Sequence, residues 1–190
     1  MAAPEALERP LPKPRRDLVG YAAARVLEAL LEALLALRFL GRGFTRSAAG
    51  KALQAWRALT GALPALERDR IAEKLGEKER KRLMEKGIPR VPSTRLKAPG
   101  QLLEEAGYQH YSAYTDKALD LHDYQLHGPD PAGEMTRYPD RKEAAKDTLY
   151  LLSKLARIIE EHVKPRLEQE GKWAQEHQEA LEGLQRRLGR

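Results

Sequence analysis

The sequence contains no cysteine and no asparagine. Without cysteine the chain has no disulfide framework, no thiol nucleophile and no cysteine-ligated zinc site. Both missing residue types are thermolabile, and the sequence is dense in Arg, Glu, Lys and Leu, so it favours a thermophilic source. The remaining composition, 42% hydrophobic and 33% charged over 190 residues, is ordinary for one globular domain with a sizeable core.

The sequence also lacks a long uninterrupted apolar segment. The strongest candidate, residues 17–40, is interrupted by four charged side chains, which makes insertion into a bilayer costly. Residues 1–16 are rich in proline and mixed in charge, and they have no apolar stretch typical of a signal peptide. We therefore expect a soluble, cytoplasmic protein with no membrane association, and we expect residues 1–16 to form a disordered arm.

Apolar residues recur at helical spacing along most of the chain, and no segment shows the alternation typical of a strand. We predict an all-α fold, an antiparallel up-and-down helical bundle over residues 17–164, with an extra C-terminal amphipathic helix within residues 165–190. Asp17 and Asp140 are the expected N-caps of two of the helices. The predicted helices cover residues 17–40, 45–63 (stopped by Pro64), 66–86 (with a break at Gly76), 99–127 (with a kink at Gly107), and 140–164 (ended or kinked by Pro165).

The first predicted helix is apolar on nearly every face. Only Arg25, Glu28 and Glu32 form a narrow polar stripe along it. A helix of this kind is either buried at the centre of a bundle or shared with a second subunit, and we expect both uses and hence a homodimer. The second helix has a face of small residues that permits close packing on the first. Trp56 lies on that face, where a core position is favoured over a base-stacking role.

The basic residues are concentrated in one stretch. The net charge is +6, and residues 78–97 hold eight basic and two acidic side chains, so this stretch carries the whole formal excess. A basic patch raises the local concentration of polyanions, but mixed charge is also common on the solvated surface of thermophile proteins. The stretch is therefore either a nucleic-acid contact or a solvated helix end and loop. Its basic residues are Lys78, Arg80, Lys81, Arg82, Lys86, Arg90, Arg95 and Lys97.

Side chains capable of acid–base chemistry crowd together near the end of the predicted helix over residues 99–127. They are His122, Asp123 and His127, and a Gly-Pro-Asp-Pro break follows at residues 128–131. Asp123 and His127 share one helix face, and histidine suits general acid–base catalysis near neutral pH. His127 is equally well explained as a histidine that interacts with the dipole at a helix C-terminus. The spacing of His122 and His127 is not that of helical zinc ligands, so we predict neither a metal nor a cofactor.

Two motifs lie in this helical context, AAGKALQAW at residues 48–56 and LHDYQLHG at residues 121–128. Together they resemble the HEPN superfamily and, within it, the archaeal PaREP proteins, over roughly residues 17–162. The resemblance implies a small helical bundle that usually dimerises. It also implies one of three cases: a metal-independent ribonuclease, a partner of a minimal nucleotidyltransferase, or a domain of no known role.

The HEPN signature is an Arg, a polar residue, three further residues and a His. On this chain the resemblance places the final His at His127 and the polar residue at Asp123, while His122 occupies the Arg position. In the resembled enzymes the His acts on the ribose 2′-OH and the Arg stabilises charge on the phosphate. Because His122 is cationic only when protonated, catalysis here should be weaker and favour lower pH. Substitutes for the missing arginine are Arg137, Arg141 and Lys51.

A second pair has the spacing of the signature. Arg157 and His162 are five residues apart, but Ile158 stands at the polar position, and such pairs arise often by chance.

The leading hypothesis is a HEPN-like module that binds RNA or nucleotides, with His122, Asp123 and His127 in the cleft and residues 78–97 on the phosphates. The alternatives are a metal-independent RNA endonuclease that uses His127 as acid–base, and a structural or interaction protein. The binding module would be the partner of a nucleotidyltransferase or part of a toxin–antitoxin pair.

Overall fold

The computed structural model describes residues 3–74, 76–82 and 95–189. Within these ranges the secondary structure is entirely helical, and the helices pack as a bundle, which confirms the all-α prediction. In chain order the elements are α1 (Ala3–Glu8), α2 (Leu18–Gly41), α3 (Thr45–Leu66), α4 (Arg68–Lys74), α5 (Glu77–Arg82), α6 (Lys97–Glu105), α7 (Tyr111–His127), α8 (Arg141–Ile158), a π-helical turn (Ile159–Val163), α9 (Lys164–Gln169) and α10 (Gln175–Arg187).

Two helices begin at the aspartates that the sequence predicts as N-caps. The Asp17 carboxylate accepts a hydrogen bond of 2.7 Å from the Gly20 amide at the start of α2. The Asp140 carboxylate accepts from the amides of the second and third residues of α8, at 2.7 and 3.0 Å. Each cap satisfies amide donors that have no partner inside the helix, so both helix starts are determined by local sequence.

The hairpin of α2 and α3 forms the centre of the bundle. Alanines on both helices are completely buried, among them Ala29 and Ala33 on α2 and Ala52 and Ala55 on α3, and small side chains let the two helices approach closely. Because α8 and α10 also pack on α2, the same chain covers most of the apolar surface of α2, and the homodimer stays a prediction.

Among the described residues, no helix combines the length and apolarity needed to cross a membrane.

Two predicted helix boundaries are wrong. Pro64 does not stop α3, which continues to Leu66. A proline removes only its own amide donor, and the next turn still closes through the Glu67 amide and the Leu63 carbonyl, 2.8 Å apart. The predicted helix over residues 99–127 is in fact two helices, α6 and α7, because the chain turns sharply between them.

The basic stretch is described only in part, since residues 83–94 lie outside the described residues.

Both ends of the chain pack on the bundle. Part of the segment predicted to be disordered forms α1, where Ala6 and Leu7 pack against the core, and Arg9 forms an ion pair of 3.2 Å with Glu176. The extra C-terminal helix is α10, and it buries Leu181 and Leu184. Because α10 packs on α2, its apolar face is buried, which accounts for the amphipathic pattern of this segment.

The buried side chain of His177 links α10 to α2. Its Nε2 lies 2.9 Å from the Ala23 carbonyl oxygen, and its Nδ1 lies 3.3 Å from the Ala174 amide. Since Nδ1 accepts from that amide, Nε2 carries the proton and donates to Ala23. The bond that Nδ1 accepts requires the neutral ring, and burial lowers the pKa of His177 below its ordinary value of 6.5.

Acidification is therefore expected to destabilise the protein through His177. The unfolded chain takes up a proton at the ordinary pKa of 6.5, whereas the folded chain resists it. The stabilisation is complete above that value and is lost progressively as pH falls from it towards the lower pKa of the folded state. Urea unfolding at about pH 7.5 and 5.5 measures how much the free energy of unfolding falls on acidification. This fall should be smaller in His177→Gln than in the wild type. It should persist in the control His127→Gln, which changes an exposed histidine. An undiminished pH difference in His177→Gln would contradict this assignment.

Candidate functional site

A cavity of about 500 Å³ lies between the α6–α7 junction and the C-terminal end of α8. Among the described residues that line it, basic and aromatic side chains predominate, and Glu161 is the one carboxylate. Histidines enter from both walls. The polar and aromatic lining includes His110, Tyr114, Lys154, Arg157, Glu161 and His162.

Two residues in the left-handed backbone region shape the α6–α7 wall. Gly107 has φ of +105°, and His110 has φ of +62°, the one positive value at a non-glycine among the described residues. This conformation costs a β-carbon-bearing residue about 1–2 kcal/mol. The Glu104 carboxylate offsets part of that cost by accepting from the Ser112 amide at 2.8 Å. The sharp turn between α6 and α7 places His110 at the mouth of the cavity.

A π-helical turn shapes the opposite wall. In an α-helix each residue rotates by about 100°, so residues five apart lie on different faces. The π turn closes with a bond from the Lys164 amide to the Ile159 carbonyl, a spacing of five residues. This local widening lets Arg157 and His162 line the same cavity. Single π turns occur often at functional sites.

Neither of the two cations of the cavity, Arg157 and Lys154, is held in a buried ion pair by a described residue. The Arg157 Nε lies 2.8 Å from the Glu161 carboxylate, but both side chains are about half exposed, and exposed pairs contribute little stability. The Lys154 ammonium lies 5.9 Å from the ring centroid of Tyr114 and 4.8 Å from that of Tyr150. Both positive charges are therefore available to an anionic ligand.

Tyr108 forms the inner floor beside His162. Its hydroxyl donates to the Glu67 carboxylate at 3.2 Å, and its ring lies edge-to-face with the His162 ring at 5.3 Å. Burial, and then the nearby Glu67 charge, raise the pKa of Tyr108 far above its ordinary value. The hydroxyl therefore stays protonated, and its hydrogen bond to Glu67 fixes the Tyr108 ring in the cavity lining.

The sequence-predicted cluster lies at the far end of α7. Asp123 and His127 are exposed, and His122 is half-buried with its Nδ1 unpartnered among the described residues. None of the three lines the cavity, and their catalytic role stays a prediction. The structure adds Arg46, which donates to the carbonyls of residues 125 and 126 at 3.0 and 2.6 Å. This arginine caps the C-terminus of α7 beside His127. It lies outside the two sequence motifs at residues 48–56 and 121–128, so neither motif predicted it.

Two of the three proposed substitutes for the signature arginine form ion pairs of their own. Arg137 pairs with Asp120 at 3.5 Å, and Lys51 pairs with Glu32 at 2.9 Å. Arg141 occupies the first position of α8.

The basic stretch is placed only in part. Lys78 and Lys81 lie on α5, Arg95 precedes α6, and Lys97 begins α6 and pairs with Asp116. The side chains of Arg80 and Arg82, and the whole of Lys86 and Arg90, fall outside the described residues. The described part of the chain also contains no group of three or more histidine or acidic side chains arranged to hold a metal ion.

Comparison with curated proteins gave no match, and comparison with solved structures gave none either. A family model did match, over residues 24–149 of the 190. The match includes the predicted cluster on α7 and the α6–α7 wall of the cavity, and it ends before Lys154. Because it covers well over half of the sequence, the chain belongs to the archaeal PaREP1/PaREP8 family.

Proposed function

We propose that this protein binds RNA or a nucleotide. A phosphate group of the ligand lies in the cavity between the α6–α7 junction and the C-terminal end of α8. The observation that carries the proposal is the composition of that cavity. Lys154 and Arg157 enter it together with His110 and His162, against the single described carboxylate of Glu161. An arginine fork matches the oxygens of a phosphate, and a volume of about 500 Å³ suits a small ligand.

The electrostatics favour an incoming polyanion. The chain carries a net charge of +6, which raises the local concentration of nucleic acid. A phosphate that enters the cavity displaces Glu161 from Arg157 and forms a charge-assisted bond with the freed guanidinium. That exchange costs little, because the displaced ion pair is exposed to solvent.

Arg157→Ala is expected to weaken RNA binding about tenfold, the effect of one lost hydrogen bond between charged groups. It should also reduce the salt slope by about one counterion, because one phosphate contact is removed. Fluorescence anisotropy with a labelled RNA, titrated at several salt concentrations, measures both quantities.

Arg166→Ala is the matched control, because Arg166 also pairs with a glutamate four residues later, Glu170, at 3.6 Å, but lies outside the cavity lining. It should leave RNA binding unchanged. Equal losses in the two variants, or no salt-dependent binding of RNA by the wild type, would overturn the proposed function.

Metal-independent RNA cleavage is the second candidate. The observation that favours it is the π turn, which brings Arg157 and His162 to one cavity. A histidine there would act as general acid or base at a ribose 2′-OH, while the arginine stabilises charge on the phosphate. This assignment uses the second pair of signature-like residues, and it extends the HEPN-like interpretation of the sequence.

A cleavage assay with EDTA, from about pH 5.5 to 8, tests the second candidate. Loss of cleavage in His162→Ala alone would assign it to the cavity. Loss in His127→Ala alone would assign it to the cluster predicted from the sequence. Intact RNA under all conditions would leave a binding module, for which a homodimer and a nucleotidyltransferase or antitoxin partner stay predictions.

A further inference from the structure

We infer that the ligand of this cavity is single-stranded RNA and that one of its unpaired bases stacks on Tyr150. This inference rests on the proposed function, because it takes the phosphate to lie at Arg157. It adds the chemical class of the ligand and a base-binding residue outside the cavity lining.

Tyr150 is an aromatic side chain held in place at the surface. It lies on α8, one turn before Lys154, and is 42% exposed. The ammonium groups of Lys154 and Lys117 lie 4.8 and 5.7 Å from its ring centroid, and Lys117 is itself anchored to Asp147 at 2.5 Å. The cations limit the orientations of the ring and leave nearly half of the residue open to solvent.

A continuous row of rings leads from this surface to the cavity. The Tyr150 and Tyr114 centroids lie 6.1 Å apart, and those of Tyr114 and His110 lie 6.3 Å apart. Tyr114 and His110 both line the cavity, and Lys154 lies near both tyrosines. Rings in edge-to-face contact, with the Lys154 ammonium beside two of them, therefore form one path to the cavity that Arg157 also lines.

This combination of rings and cations matches the chemistry of a single strand. Aromatic rings stack on unpaired bases without regard to sequence, while cations between them contact the backbone. A base inside a duplex is already stacked on its neighbours, and proteins recognise double-stranded RNA by shape and backbone. An acidic protein segment would use the cations but would leave the exposed Tyr150 ring without a stacking partner.

The test compares four probes by fluorescence anisotropy. They are a labelled single-stranded RNA of about 12 nucleotides, the same sequence as a duplex, an abasic ribose-phosphate oligomer of equal length, and polyglutamate. Tyr150→Ala should weaken binding of the single strand about tenfold, within the range for one stacked base, with an unchanged salt slope. Tyr150→Phe, which keeps the ring, should restore binding.

Leu149→Ala is the matched control, because Leu149 is the neighbouring residue and is 43% exposed. It should bind the single strand as the wild type does. The abasic oligomer should bind wild type and Tyr150→Ala equally, since neither complex contains the stack.

The outcomes separate this inference from the proposed function. If Arg157→Ala weakens binding but Tyr150→Ala does not, the stacked base is wrong and the phosphate site stands. Duplex RNA or polyglutamate bound as tightly as the single strand would also overturn the inference. If no nucleic-acid probe binds in a salt-dependent way, both proposals fall together.

Discussion

Replacement of Trp56 by alanine is expected to lower the free energy of unfolding by about 3–5 kcal/mol, the usual cost of truncating a buried aromatic residue. Trp56 is 0% exposed at the centre of the bundle, and its ring packs on that of Tyr111 with the centroids 4.6 Å apart. Truncation removes that contact and leaves a cavity that the helices around it fill only in part.

The same change breaks a buried polar network. The Trp56 indole donates to the Thr115 hydroxyl at 3.1 Å, and that hydroxyl donates to the Tyr111 carbonyl at 2.8 Å. The Thr60 hydroxyl lies 2.9 Å from the Tyr111 hydroxyl and donates to the Trp56 carbonyl at 2.8 Å. Each group in the network has a partner, which is the condition under which buried polar groups do not destabilise the fold.

Urea unfolding monitored by circular dichroism measures the effect of Trp56→Ala. Trp173→Ala is the control, because Trp173 is only partly buried against the core and its indole bonds to Gln178 on α10. The control should lose clearly less stability. Similar losses in both variants would show that Trp56 does not have the central role assigned to it here.

Gly100→Ala is expected to destabilise the protein by about 1–3 kcal/mol, the usual cost of overpacking. A β-carbon at Gly100 would lie 2.6 Å from the Thr115 hydroxyl oxygen and 3.1 Å from the Thr115 Cβ. Thr115 is buried, β-branched and held by two hydrogen bonds, so it cannot rotate away. The contact therefore has to open the packing of α6 on α7.

Alanine elsewhere in a helix has the opposite effect, so the sign of the change is diagnostic. Gly183 lies in α10, where a β-carbon would meet the Leu34 side chain at an ordinary 3.7 Å. Gly183→Ala should therefore stabilise the protein by about 0.5–1 kcal/mol through helix propensity. Thermal unfolding of both variants measures the contrast, and a stabilised Gly100→Ala would refute the close approach of α6 and α7.

Both predictions concern the scaffold of the candidate site. Thr115 lies one turn after the start of α7, close in sequence to His110 and Tyr114 in the cavity. The network that includes Trp56 and that Gly100 leaves room for therefore fixes the α6–α7 wall of the cavity in which the ligand is proposed to bind.

Local sequence was sufficient to predict several elements. The helical period predicted an all-α bundle, and the carboxylates of Asp17 and Asp140 predicted where two helices begin, because a cap acts on amides within three residues. The apolar face around Trp56 predicted its burial. The motifs that suggested the archaeal PaREP proteins are borne out by the family match over residues 24–149.

Other local signals were misread. Gly107 suggested a kink, but the second left-handed residue, His110, made it a break between two helices. Histidine is enriched at positive φ relative to most residues, but so few non-glycine residues adopt it that the residue type alone does not identify the break. Pro64 suggested a helix end, yet its helix continues because only one amide donor is lost.

The sequence by itself determined that the chain is helical, where the two capped helices start and which faces are apolar, but it missed α1 and the break between α6 and α7. Only the tertiary structure decided which side chains share a cavity. Arg46 meets the end of α7 across 79 residues, and Tyr114 meets Tyr150 from another helix. The period of a helix specifies a face but not its neighbour, and the π turn beside Arg157 changes even that period. Contacts between distant segments depend on packing the whole bundle, which no local pattern encodes.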